Sequence, residues 1–135
     1  MTFTPALVAL DIDGTIVSVN GDLPDGVRDV VRRIVAAGVP VVLTTGRAWA
    51  GTQMIFDALG LPPGPSVCAN GAMIVNYPPV DVVHEIRFDP ADSIERVARL
   101  APNAAIAVTD GLLWRVSKPF PEGELNGEFV VESVE

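Results

Sequence analysis

Apolar positions along this chain alternate between continuous runs and helical spacings. Residues 6–12 are almost unbrokenly apolar until the acids, the pattern of a strand covered on both faces. Asn20-Gly21 is a hairpin signal, so a small β excursion is expected after that strand. Val27, Val30, Val31, Ile34 and Val35 then recur at helical spacing, with Asp25 as the expected cap and Gly38 as terminator. A second buried strand is predicted over 39–44, and a helix over 48–59 closed by Gly60. A short third strand at 66–69 turns at Asn70-Gly71 into another at 72–75.

Strand, helix, strand, helix, strand with short links predicts an α/β fold built on a Rossmann-like parallel sheet. The pattern changes near Asn76-Tyr77-Pro78-Pro79. Residues 82–88 read as a strand, and Asp89-Pro90 opens a helix carrying Ile94, Val97 and Leu100. Strands at 105–109 and 112–117 meet at Asp110-Gly111, another hairpin signal. Residues 118–127, rich in Pro, Gly and Glu, are expected to form a loop before a last strand at 129–134. This second half is α+β in character. The expected division is therefore 1–76 and 77–135.

Length and composition suit an ordinary core: 135 residues, 49% of them hydrophobic. The formal net charge of -8 and a single lysine, Lys118, leave no basic stripe for nucleic acid or an anionic membrane surface. One cysteine, Cys68, makes no internal disulfide, and no basic leader or spanning segment is evident. The cytoplasm is the expected compartment.

The chemistry concentrates at strand ends. The first apolar run stops at Asp11-Ile12-Asp13-Gly14-Thr15. Burying charge is costly unless it is paired or metal-bound, and open α/β sheets bind ligands at the carboxyl ends of their strands. Two acids there suit a magnesium ion and a phosphoryl group, which need hard oxygen ligands and a nucleophile. The plainer alternative is a solvated Asp-Gly turn. Asn70-Gly71 fits a hairpin turn as well as a ligand contact, and Arg47 a solvated first-turn residue as well as a substrate-side role. His84 reads as part of a strand face, Cys68 as a small core residue, and Trp49 and Trp114 as packing.

Asp11-x-Asp13-Gly14-Thr15, Thr45-Gly46-Arg47 and Asn70-Gly71-Ala72, each at a strand end and in this order, together resemble the haloacid dehalogenase (HAD) superfamily of phosphohydrolases, in particular its Cof-type branch, class IIB. The resemblance covers 6–75 well and 80–117 loosely. It implies the first three strands of the family core followed by part of a cap. It further implies a magnesium-dependent phosphohydrolase of small phosphorylated metabolites. Asp11 would be the nucleophile forming an aspartyl-phosphate, and Asp13 the acid and base. Asp11 and the Asp13 carbonyl would hold Mg2+, while Gly14, Thr15, Thr45, Gly46, Arg47 and Asn70 would surround the phosphate.

The resemblance is incomplete. The family's lysine on a later helix has no counterpart, since Lys118 lies beside Pro119 beyond a cap-like hairpin. Its Gly/Ser-Asp-x-x-x-Asp segment is also missing; Asp25-x-x-x-Asp29 has the spacing but opens a helix. Three readings stay open: an amino-terminal piece of a longer enzyme, half of a split enzyme, or a relative that folds without turnover. A non-catalytic binding or regulatory module and phosphomutase-type transfer are the alternative functions. The missing fourth strand would leave the first at an open edge, inviting self-association or a complementing chain.

Overall fold

The computed structural model describes residues 5–132, which divide after Glu85 into two compact units. In the first, β1 (Val8–Leu10), β2 (Val41–Thr44), β3 (Gly64–Cys68), β4 (Met73–Tyr77) and β5 (Asp81–Glu85) form one sheet in chain order. β1, β2 and β3 run parallel, joined through α1 (Asp25–Ala36) and α2 (Trp49–Leu59). β4 and β5 add to them as an antiparallel meander. The α/β fold with a parallel Rossmann-like start is therefore present as expected.

Both helices contribute to one core. Val31 of α1 and Ile55, Phe56 and Leu59 of α2 cluster with Leu43 of β2 and with Ile12, Ile16 and Val17 from the segment after β1. A second cluster joins Trp49 to Cys68, Met73 and Val75, and Tyr77 meets both Trp49 and Phe56 edge-on, at 5.2 and 5.3 Å between ring centroids. Helix ends follow local chemistry. Gly60 takes the left-handed conformation (φ 66°) that closes α2, its N–H donating to the Asp57 carbonyl at 3.0 Å. Asp25 is not the cap of α1: Pro24 holds that position, and Asp25 is the first helical residue, 3.6 Å from Arg28.

Other expectations are also corrected. β1 is shorter than 6–12 and is not covered on both faces: Ala9 is exposed and Leu7 is 50% exposed. Among the described residues β1 pairs only with β2. The excursion at Asn20-Gly21 is a turn, not a hairpin. Ile16 and Val17 enter the core instead of forming a strand, and only an isolated Asp13–Val17 bridge remains. The division after Glu85 falls later than the expected 76/77, because β5 pairs with β4 and stays with the first sheet.

The second unit contains α3 (Ala91–Leu100) and a sheet of β6 (Ala107–Asp110), β7 (Leu113–Val116) and β8 (Phe129–Val131). Pro90 holds the N-cap position of α3, and the preceding Asp89 accepts from the Ala91 N–H through its Oδ1 at 3.0 Å. Asp110-Gly111 makes the expected β6–β7 hairpin. Arg115 binds Asp110 at 2.8 Å and also pairs with Glu132, tying the hairpin to the residue after β8. The end of the expected strand, residues 133 and 134, lies outside the described residues.

Ser66, at the centre of β3, is fully buried and its Oγ has no partner. A buried, unpaired hydroxyl costs about 1–3 kcal/mol. Ser66→Ala is therefore expected to leave the urea midpoint, followed by Trp49 emission in a Trp114→Phe background, unchanged or higher. Leu43→Ala, in the same sheet, should lower stability by about 2–5 kcal/mol. A clear loss of stability in Ser66→Ala would contradict this reading of Ser66.

Candidate active site

Parallel register places the chemistry. Leu10 pairs with Leu43, and Thr44 with Val67, so β1, β2 and β3 end at the same rim of the sheet. Asp11 follows β1, Thr45 follows β2, and the turn Ala69–Gly71 follows β3. They border a pocket of about 310 Å³ lined by Asp11, Thr44, Thr45, Gly46, Val67, Asn70 and Gly71.

The loop after β2 is locked onto the one after β3. The Thr45 N–H donates to the Val67 carbonyl (2.9 Å), and the Thr45 carbonyl accepts from Asn70 N–H (3.0 Å). The Arg47 carbonyl accepts from Ala69 N–H at 2.8 Å. These bonds hold Ala69 (φ 49°) and Asn70 (φ 54°) in left-handed backbone, a conformation uncommon for alanine and better tolerated by asparagine. Gly46 packs closely on the facing turn: a Cβ there would sit 3.1 Å from Asn70 Oδ1, so that side chain would have to shift by a few tenths of an ångström. The 5%-exposed Thr45 accepts from Arg47 N–H through its Oγ1 (3.1 Å), which leaves the hydroxyl hydrogen to donate elsewhere.

The acidic loop is organised differently. Gly14 (φ 75°) allows the turn, its N–H donating to the Val17 carbonyl at 2.9 Å. The Thr15 hydroxyl donates to Asp11 Oδ2 at 3.1 Å, orienting that carboxylate. Asp13 is bound by Arg47 through two hydrogen bonds, Nε to Oδ2 at 2.8 Å and Nη2 to Oδ1 at 2.6 Å. Arg47 also donates from Nη1 to the Gly51 carbonyl at 3.3 Å. The guanidinium holds the Asp13 carboxyl below its ordinary value, chiefly through those hydrogen bonds, and the Arg47 pKa is raised in return.

Of the residues expected around the phosphate, Thr45, Gly46 and Asn70 line the pocket with Asp11. Gly14, Thr15, Arg47 and Asp13 stand outside its lining. Thr15 and Arg47 are engaged with the two acids, because each carboxylate attracts the nearest donor from its own or the facing loop. Gly71, from the expected Asn70-Gly71 turn, also lines the pocket, as do Thr44 and Val67, which were not singled out from the sequence. Their signal was available: each lies within a residue of a strand end already marked by a motif. Trp49 is a core residue, packed with Cys68, Met73 and Val75.

The donor chemistry suits a hard cation in part. Asp11, which lines the pocket, carries a carboxylate and Asp13 offers a backbone carbonyl in the same loop, and magnesium commonly takes one or two carboxylates with water and phosphate completing its shell. No group of three or more His, Cys, Asp or Glu side chains able to hold a metal exists among the described residues.

A family model described as haloacid dehalogenase-like hydrolase matches residues 8–111, spanning all three strand-end loops. The chain belongs to this family. This HAD-like hydrolase is 39% identical over 82 residues to the Bacillus subtilis protein YxeH, a match covering 59% of the chain and 30% of YxeH. It is 30% identical over 74 residues to the Escherichia coli pyridoxal phosphate phosphatase YbhA, covering 55% and 27%. The solved structure of a haloacid dehalogenase-like hydrolase from B. subtilis superposes with a TM-score of 0.68 at 26% identity, covering 86% of this chain and 40% of that one. The chain thus spans less than half the length of each of these relatives.

The Asp13–Arg47 pair carries a pH dependence. A carboxyl lowered by folding contributes stability above its unfolded value, and this is lost as pH falls through the folded value. Carboxyl-detected NMR titration should place the Asp13 midpoint below the ordinary value of about 3.9. In Arg47→Ala it should rise back toward that value. An unmoved midpoint would rule out the pair in solution.

Proposed function

We propose that this HAD-like chain contributes the nucleophile and phosphate-binding rim of a phosphohydrolase acting on small phosphorylated metabolites. One observation carries the reading: the Asp11 carboxylate shares a pocket with Thr45, Gly46 and Asn70, brought there by three successive parallel strands. The phosphatase relative and the family match support it.

In this mechanism the pocket receives the phosphoryl group, with the Thr45 hydroxyl donating to one of its oxygens. Thr15 holds Asp11 Oδ2, and an Asp11 oxygen attacks phosphorus in line. The bond from phosphorus to the ester oxygen breaks, and that oxygen takes a proton from Asp13. Water then attacks the aspartyl-phosphate and loses a proton to Asp13, phosphate leaves, and Asp11 is restored. The pairing with Arg47 favours the deprotonated form of Asp13, so proton donation requires that pairing to loosen as substrate binds. Asp11 and the Asp13 carbonyl would hold Mg2+, which when bound neutralises phosphoryl charge as the carboxylate approaches.

The second unit fits part of a class IIB cap, and the cytoplasm the compartment. The open edge of β1 would accept a strand from a complementing segment or a second copy through backbone hydrogen bonds. A second reading, a binding module without turnover, is favoured by the position of Lys118. The only lysine donates to the Asn103 carbonyl in the second unit.

Hydrolysis of an aryl phosphate with magnesium separates the two. Steady-state release of phosphate in proportion to the purified chain, falling to background in Asp11→Asn, is the expected result. Unchanged turnover in Asp11→Asn would end the assignment of the nucleophile. Absence of turnover together with measurable phosphate binding would favour the binding module.

A further inference from the structure

A second carboxylate two residues from the nucleophile is an obstacle to any dianion approaching Asp11. Asp13 is charged and its side chain is 60% exposed, yet it does not line the pocket. Its carboxylate lies on the Arg47 fork, both oxygens bonded, in the bidentate geometry that fixes orientation as well as charge. The Arg47 side chain is only 23% exposed and is anchored on its far side by the Gly51 carbonyl. The Arg47 backbone joins the two loops that build the pocket, donating to Thr45 Oγ1 and accepting from Ala69 N–H. A residue held at four points has little freedom to follow an incoming ligand.

We propose that Arg47 is a positioning residue that keeps the Asp13 carboxylate off the phosphate pocket and offsets its charge while a phosphoryl group enters, instead of ligating the phosphate itself. This inference rests on the reading of the pocket as a phosphoryl site given above. Removing Arg47 leaves Asp13 negative and free to turn toward the pocket mouth, where it repels the anion. Removing the Asp13 charge as well takes that repulsion away. A direct ligand of phosphate, or a residue needed only to hold the loops, would behave differently: Asp13→Asn would help binding no more in its absence than in its presence.

The test is a double-mutant cycle on the affinity of the full chain for inorganic phosphate, titrated calorimetrically with magnesium present at fixed pH and ionic strength. Arg47→Ala is expected to weaken binding about tenfold, the scale of one unscreened charge near an exposed site. Asp13→Asn alone should bind phosphate as well as the parent or better, and Arg47→Ala/Asp13→Asn should recover most of the loss. Should Arg47→Ala fail to fold, Arg47→Met keeps the bulk of the stem and carries the same comparison. A double variant as weak as the single arginine variant overturns this role for Arg47 alone. Failure of the parent chain to bind phosphate at all overturns the pocket reading and this inference with it.

Discussion

Parallel pairing of β1, β2 and β3 is the constraint from which the chemistry of the first unit follows. Strands that run in one direction deliver their carboxyl ends to one rim, and there the backbone leaves the sheet with free polar groups. The Leu10–Leu43 and Thr44–Val67 pairs fix how far each strand reaches before its loop begins. A slip of one residue in either pair would exchange core and solvent faces along the strand. It would also carry Asp11 away from Thr45 and Asn70. Core packing by α1 and α2 against Leu43 and Ile12 therefore acts at a distance on the pocket, by holding that register.

Much of this arrangement is legible in the residues alone. An apolar run ending in Asp11, another ending in Thr45 and a third ending in Asn70 each mark a strand terminus, and their order specifies a βαβαβ path. Asp110-Gly111 and Asp89-Pro90 likewise name their own turn and helix start. What escapes is long-range. Asp13 and Arg47 are 34 residues apart, and no local pattern says that one will satisfy the other. The left-handed Ala69 is also invisible from residue type, since it is imposed by the Arg47 carbonyl and not by an intrinsic preference. The membership of β5 in the first sheet escapes for the same reason: its pairing with β4 decides it, against a local change in composition near Pro78 and Pro79.

The exposed surface of β1 is as apolar as its inner face. Leu10 packs against the core, while Ala9 and Leu7 face outward and the outer edge lacks a pairing strand among the described residues. The solved structure that shares this fold is matched over only 40% of its length. A strand with one apolar face satisfied and one not is poorly insulated from other chains. The charge of -8 offsets that tendency through mutual repulsion.

Cys68 is the only sulfhydryl in the chain, and it lies fully buried on β3 with its Sγ 3.5 Å from Thr52 Oγ1. Burial pushes its pKa up, which suppresses the nucleophilic thiolate. Maleimide chemistry would consequently find almost nothing to modify in the folded parent. A single cysteine placed at an exposed position such as Val19 or Met54 would become the sole handle for a dye or spin label, without first deleting the native one.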